Sequence, residues 1–223
     1  MDELISSAKD YKDELYKQLS RIGKCLSSDK RLEILNLLAQ GPKTVEKLTQ
    51  DTGMNVANVS RHLQILNDSR LVKFTKKGTY AIYSLADPYV VEFLFSLWHI
   101  AENQLSDITR IKEDFLGGME GLYTLTMDQV YEKLNREDVV LLDLRPTDEY
   151  NAGHIEGAVS VPMEKLDVYL QQLPRDKEVV AYCRGQFCAF SAIAAQKMKN
   201  QGFMAYRMAE SFHEWQKYLE LKH

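Results

Sequence analysis

Along the first half of the chain, apolar positions recur at helical spacing; along the second they fall in short, nearly continuous runs separated by helical stretches. The opening segment, from about Leu4 to Leu26, puts Ile5, Tyr11, Leu15, Leu19 and Ile22 on one stripe, the pattern of an amphipathic helix. Ser27-Ser28-Asp29 supply N-caps for a second helix, from about Lys30 to Ala39, which Gly41-Pro42 ends. Thr44 is the N-cap of a third, with an incomplete capping box because Lys47 stands where Glu or Gln would reach back. Asp51-Thr52-Gly53 breaks that helix, and Asn55 to Leu66 makes the next, with Val56, Val59, Leu63 and Leu66 along its apolar stripe. Two helices joined by a short glycine-containing turn predict a helix-turn-helix. Leu71 to Thr75 and Tyr80 to Leu85 alternate as a hairpin with Lys76, Lys77 and Gly78 at its tip, a wing. Asp87 to Phe115 reads as one long helix, apolar nearly all round in its first half, which suits burial against a second subunit.

Gly117-Gly118-Met119-Glu120-Gly121 interrupts the pattern as a linker. A helix around Met127 to Leu134 then leads into Val139 to Arg145, a run of the kind found in a buried parallel strand. Strands at Val159 to Val161, Glu178 to Tyr182 and Ala205 to Arg207 alternate with helices from about Glu164 to Gln172, from about Ser191, and at the end of the chain. The expected organisation is two domains: residues 1–116, mainly α and winged helix-turn-helix; a linker, 117–125; and residues 126–223, α/β with a central parallel sheet.

Charge changes this picture locally. The chain of 223 residues has a formal net charge of −4. From Gly41 through Tyr80, however, seven Lys or Arg (Lys43, Lys47, Arg61, Arg70, Lys73, Lys76, Lys77) face three acids (Glu46, Asp51, Asp68), a positive patch suited to nucleic acid. Asn55, Asn58, Ser60, Arg61, His62 and Gln64 on the second helix are the candidate base and phosphate contacts, with Lys76 and Lys77 on flanking phosphates. Three cysteines without regular spacing do not suggest a secreted disulfide framework. With no charged-then-apolar leader and no apolar run near the ~20 residues that span a bilayer, a cytoplasmic protein with no membrane partner is expected.

The chemistry centres on Tyr182-Cys183-Arg184-Gly185-Gln186-Phe187-Cys188, where a strand gives way to a loop and then a helix. Loop amides and the helix N-terminus converge at such a cysteine, and Arg184 adds a fixed positive charge; Cys183 is therefore expected to be an activated thiolate, with Arg184 free to hold an incoming oxyanion. Gly185, Gln186, Phe187 and Cys188 form the anion loop. Cys188 is either a packing residue or a second redox thiol, and Cys25 is the rival second thiol.

The runs Leu32 to Leu38 and Asn58-Val59-Ser60-Arg61-His62-Leu63-Gln64-Ile65-Leu66, followed by the Lys-Lys-Gly wing, resemble the ArsR/SmtB family of winged-helix repressors. The resemblance implies a homodimer on double-stranded operator DNA. Metal-sensing members carry cysteine pairs in the helix before the recognition helix; Val45 to Gln50 has no thiol, so no metal site is expected. Leu142-Asp143-Leu144-Arg145, Glu149-Tyr150, Gly153-His154-Ile155-Glu156-Gly157-Ala158 and Tyr182-Cys183-Arg184-Gly185 together resemble the rhodanese family. That resemblance implies a persulfide on Cys183, Asp143 and Arg145 bracing the catalytic loop, and His154 as a satisfied structural histidine. Gln186-Phe187-Cys188 departs from it, since many members have a glycine and then an arginine there, and Glu210-Ser211 stands where a glycine pair is common. The expected function is a DNA-binding regulator that senses or handles reactive sulfur from a small donor such as thiosulfate or polysulfide, with a thiol acceptor and no cofactor. The alternatives are a sulfurtransferase with an accessory winged helix, or an arsenate- or phosphate-handling variant.

Overall fold

A computed structural model of the chain describes residues 2–136 and 139–222, with side chains from residue 7 onward. It divides into two compact units, Met1–Ile100 and Ala101–His223.

The first unit opens with α1 (Asp2–Leu26), whose Tyr11, Leu15 and Leu19 stand exposed; Ile5, expected on the same stripe, has a side chain outside the described residues. Ser28 caps α2 (Asp29–Ala39) by accepting from the Arg31 amide. The short strand β1 (Lys43–Thr44) leads into α3 (Val45–Thr52), where Thr44 Oγ1 accepts from the Lys47 amide at 3.2 Å. Gly53, at φ +67°, takes the left-handed C-cap that lets the chain turn sharply into α4 (Val56–Asp68). β2 (Val72–Lys77) and β3 (Tyr80–Leu85) pair antiparallel, Lys77 opposite Tyr80, so that Gly78 at φ +63° is the first residue of a two-residue turn. The sheet order is β1-β3-β2. Leu35, Leu38, Leu48, Val59, Leu63 and Leu66 form the core at the junction of α2, α3 and α4. The expected single helix over 87–115 is two helices, α5 (Tyr89–Gln104), within which the division after Ile100 falls, and α6 (Ser106–Leu116), which belongs to the second unit; they part where Leu105 turns extended at φ −110°, ψ 98°. Ser106 and Asp107, residues that favour helix starts over helix interiors, follow that break.

The second unit is α/β. β4 (Thr124–Leu125) lies inside the expected linker yet pairs as an edge strand, and Thr126 with Gln129 closes a complete capping box on α7 (Met127–Asn135). β5 (Val139–Asp143), α8 (Thr147–Ala152), β6 (Val159–Ser160), a 3₁₀ turn and α9 (Leu166–Leu170), β7 (Glu178–Cys183), α10 (Phe190–Asn200), β8 (Met204–Ser211) and α11 (Phe212–Lys222) complete it. The strands pair parallel in the order β4-β8-β7-β5-β6, and an isolated antiparallel bridge joins Arg184 to Ser211. β7 therefore runs down the middle, buried on both faces. Leu142, Val179, Ala181 and Cys183 face the core under α9 and α10, whereas Leu141, Val180 and Tyr182 face the one holding Trp215. Burial on both faces explains why these strands appear as continuous apolar runs.

Candidate functional site

Central strand β7 delivers Cys183 to the carboxyl edge of the sheet, where the side chain is 3% exposed and packed into the core. Arg184 begins a 3₁₀ turn over Gly185–Phe187, closed by the Cys188 amide donating to Gly185 O at 3.0 Å. Gly185 sits at φ +79°, and a β-carbon there would come within 2.9 Å of Glu214 Oε2 and 3.0 Å of Ser211 Cβ. The position thus requires glycine on both conformational and steric grounds. The turn brings Cys188 back over the strand end, so that its Sγ lies 2.7 Å from Cys183 Sγ.

The two thiols do not share ionisation equally. Cys188 is held down at about 6, first by the hydrogen bond from the Cys183 thiol, then, against the cost of burial, by the amides of Phe190 and Arg184 and the charge of Arg184. Phe190 opens α10, whose N-cap Ala189 offers no side-chain acceptor, so the sulfur anion takes the place of a cap on an otherwise orphan amide. The Cys183 thiol is pushed well up by donating to Cys188, by burial and by the neighbouring anion. Cys188 is the more exposed sulfur and receives two amides to Cys183's one, so the pair shares its ionisation with Cys188 favoured for the charge.

Arg184 is also placed differently. Its Nε and Nη2 donate to Glu149 Oε2 and Oε1 at 2.9 and 2.6 Å, a two-pronged pair with a fully buried carboxylate on α8. Glu149 is a site residue that the sequence shows only as part of a motif. Ser211 and Glu214 are two more: Glu214 Oε2 accepts from Ser211 N at 2.7 Å and Oγ at 2.8 Å, beneath Gly185, and burial raises the Glu214 carboxyl. Arg207, on β8, is 8% exposed, with Nε lacking a partner among the described residues; burial lowers its guanidinium, while the charges of Glu210 and Cys188 oppose that.

Asp143 and Arg145 lie behind the loop with fully buried side chains, hydrogen-bonded to each other, to Tyr182 Oη and to the backbone. Asp143 accepts from the Arg145 amide at 3.0 Å and from Tyr182 Oη at 2.6 Å; Arg145 Nη2 reaches Gly153 O at 2.7 Å, and Tyr182 Oη accepts from the Ile155 amide at 3.2 Å. This network ties the end of β5 to the Gly153–Ala158 segment and to the residue before Cys183. His154 stacks on Tyr150 at 3.8 Å with Nδ1 3.0 Å from Tyr150 O, as a structural histidine does.

In the first unit, Ser60, Arg61 and Gln64 stand exposed on α4 opposite Val59, Leu63 and Leu66, with Asn58 exposed nearer its start. Asn55 is the N-cap, its Oδ1 accepting from the Asn58 amide at 2.9 Å, so that oxygen is committed to the helix. His62 is half-buried rather than on the outer face; burial, then Arg31 and Arg61, lowers its pKa. Lys76 and Lys77 are exposed on the wing. Lys43, counted in the positive patch, is instead buried 3.6 Å from Asp51, which also pairs with Lys47 at 3.2 Å. Cys25 is buried in the core with Sγ 3.8 Å from Ile65 O. Among the described residues no helix is long and apolar enough to cross a membrane, and no cluster of metal-ligating side chains is present.

A winged helix-turn-helix followed by a five-stranded parallel sheet with a cysteine loop at its edge defines a transcriptional regulator with a rhodanese-like domain. Residues 28–73 match the bacterial regulatory protein arsR family, and residues 126–218 match the rhodanese-like domain. The chain is 34% identical over 211 residues to the HTH-type transcriptional regulator Rv0324 of Mycobacterium tuberculosis, covering 95% of this chain and 92% of that one. It belongs to the ArsR-type helix-turn-helix regulators that carry a C-terminal rhodanese-like domain. The C-terminal part is 31% identical over 88 residues to the thiosulfate sulfurtransferase GlpE of Coxiella burnetii, 39% of this chain and 80% of that one. Among solved structures, the homodimeric winged helix-turn-helix DNA-binding domain of Mb0332 from Mycobacterium bovis is 38% identical, covering 43% of this chain and 89% of that one with a TM-score of 0.41.

Proposed function

We propose that this regulator handles reactive sulfur at the Cys183–Cys188 pair and that the redox state of the pair sets its affinity for operator DNA. The observation that carries the reading is the 2.7 Å approach of two free cysteine sulfurs at the carboxyl end of β7. Cys188 attacks a sulfane sulfur, forming a new S–S bond and expelling the donor's remaining sulfur as a thiolate. Cys183, packed in the core, attacks Cys188 Sγ, closes a disulfide and releases the bound sulfur as hydrosulfide or perthiolate. Sulfur thus enters at Cys188 rather than at Cys183. On the DNA side, Asn58, Ser60, Arg61 and Gln64 contact the major groove and Lys76 and Lys77 the flanking phosphates. The exposed apolar stripes of α1 (Tyr11, Leu15, Leu19) and α5 (Tyr89, Phe93, Ile100) support a homodimer.

Peptide mass spectrometry after polysulfide treatment of the reduced protein tests the sulfur chemistry. A 183–188 peptide lighter by two hydrogens, and a persulfide trapped on Cys188 in the Cys183→Ser variant, are expected. Free thiols at both positions after treatment would contradict the reading. The likeness to a thiosulfate sulfurtransferase supports a second reading, in which the same pair passes sulfur to an external thiol.

A further inference from the structure

We infer that the sulfur donor this pair meets is a thiol amino acid carrying sulfane sulfur, with its α-carboxylate on Arg207 and its α-ammonium on Glu210. The inference rests on the reading of the sulfur pair given above and names its substrate class.

Both residues belong to β8, the neighbour of the cysteine strand. Arg207 pairs with Ala181, and Ser211 with Cys183. Ala181, Cys183 and Ala205 share one core cluster and side chains alternate along a strand, so Arg207 falls on the sheet face that carries Cys183. Arg207 is 8% exposed, and its Nε is shut from solvent without a partner; the same holds for Glu210 Oε2, three residues on. Among the described residues no ion pair joins the two. Burial lowers the Arg207 guanidinium while the charges of Glu210 and then Cys188 oppose that, so all three groups stand near one another. The Glu210 charge also bears on Glu214, the carboxylate beneath Gly185.

A buried charge is costly to leave unpaired, and two opposite charges that stand close without closing on each other leave a place for a group that answers both. An amino acid carries a carboxylate and an ammonium on one carbon, the complement of a guanidinium beside a carboxylate. In cysteine one methylene separates that carbon from sulfur, so a ligand held by the two charges brings its sulfur to the pair without a spacer. In glutathione the same carbon is flanked by peptide bonds and carries neither charge. A simple oxyanion answers Arg207 alone and is repelled by Glu210. Glu210 stands where glycine is common in the rhodanese family, so the acid is an addition to that pattern.

With the trisulfide of cysteine the chemistry balances without a further reactant. One sulfur of the pair, as a thiolate, attacks a terminal sulfur of the trisulfide; a mixed disulfide forms, one S–S bond breaks, and cysteine perthiolate leaves and takes a proton from water. The second sulfur of the pair gives its proton to water, attacks the protein sulfur of the mixed disulfide and expels cysteine thiolate, which is protonated in turn. The protein is oxidised by two electrons to the Cys183–Cys188 disulfide, and the trisulfide is reduced to one cysteine and one cysteine hydropersulfide.

The test uses the reduced full-length protein and measures loss of free thiol at Cys183 and Cys188 with the trisulfides of cysteine, N-acetylcysteine, cysteine methyl ester and glutathione. Each rate is divided by that of a small free thiol with the same donor, which removes the intrinsic reactivity of the reagent. The normalised rate with the cysteine donor is expected to exceed each of the others about tenfold, since each of those lacks at least one charge-assisted contact. Glu210→Gln should abolish the penalty for N-acetylation and keep that for esterification, and Arg207→Gln should do the reverse. That pairing separates recognition from altered folding, and the donor series in the unaltered protein needs no variant. A normalised rate for any blocked donor equal to or above that for cysteine overturns the inference and leaves the dithiol reading standing. Retention of both thiols with every donor overturns the two together.

Discussion

Arg184 and Glu149 lie 35 positions apart and form a two-pronged ion pair, at 2.9 and 2.6 Å, that fixes the first residue after Cys183 to helix α8. The pair divides the work of the arginine. Its amide and charge still favour the anion on Cys188, while its guanidinium is spent on a buried carboxylate instead of on a substrate.

Removing that carboxylate's charge tests the division. Glu149→Gln leaves the Arg184 charge uncompensated beside the sulfur pair, so Cys188 should ionise at still lower pH and thiosulfate should react faster. The variant should also lose about 3 kcal/mol of local stability, because a buried partner is left unpaired. Alkylation rate against pH, together with hydrogen exchange of the β7 amides, reads both effects.

The ionisation itself has a defined sign. A thiolate is the reactive form, and Cys188 is held at about 6, so its alkylation should rise through that pH and level off above it, while Cys183 stays slow throughout. Cys183→Ala removes the hydrogen bond that contributes most to the lowering and should move the Cys188 midpoint upward. Site-resolved alkylation followed by mass spectrometry checks it, and an unmoved midpoint would show that the helix amides alone hold the anion.

How much of this was legible in the chain differs by element. The helix-turn-helix and wing were legible because Gly53 and Gly78 stand where left-handed backbone is needed and because Val59, Leu63 and Leu66 keep one face. The break between α5 and α6 was not, since Gln104-Leu105-Ser106 contains neither glycine nor proline. Asn55 was legible as polar at a helix start, a position that serves capping as readily as DNA contact. Cys188 was legible as a candidate second thiol beside Cys183, but the asymmetry of the pair was not. Its asymmetry depends on which sulfur the α10 amide meets and on which is packed in the core, and Glu149 gives no local sign that it will find Arg184.

The wing and the buried lysine should separate in their response to salt. Lys76→Ala with Lys77→Ala should weaken operator binding and lower the salt slope by about 1 for each positive charge removed from a phosphate. Lys43→Met should leave the slope unchanged and act through stability, because Lys43 is buried against Asp51. Operator titrations between low and high salt distinguish the two.

The brace behind the loop should govern stability more than ionisation. Tyr182→Phe removes the hydrogen bonds to Asp143 and from the Ile155 amide and should cost about 1–3 kcal/mol, with the Cys188 alkylation midpoint unchanged. A shifted midpoint with unaltered stability would make the network part of the reactive site.

The central claim is that the Cys183–Cys188 pair controls DNA binding, and operator affinity before and after polysulfide, in the unaltered protein and in Cys25→Ser, Cys183→Ser and Cys188→Ser, tests it most directly. Polysulfide should weaken operator binding of the unaltered protein and of Cys25→Ser by about 5- to 150-fold, the range of a coupling of ~1–3 kcal/mol, and leave Cys183→Ser and Cys188→Ser unresponsive. A Cys188→Ser protein that still responds as the unaltered one does, or an unaltered protein that does not respond at all, would contradict it.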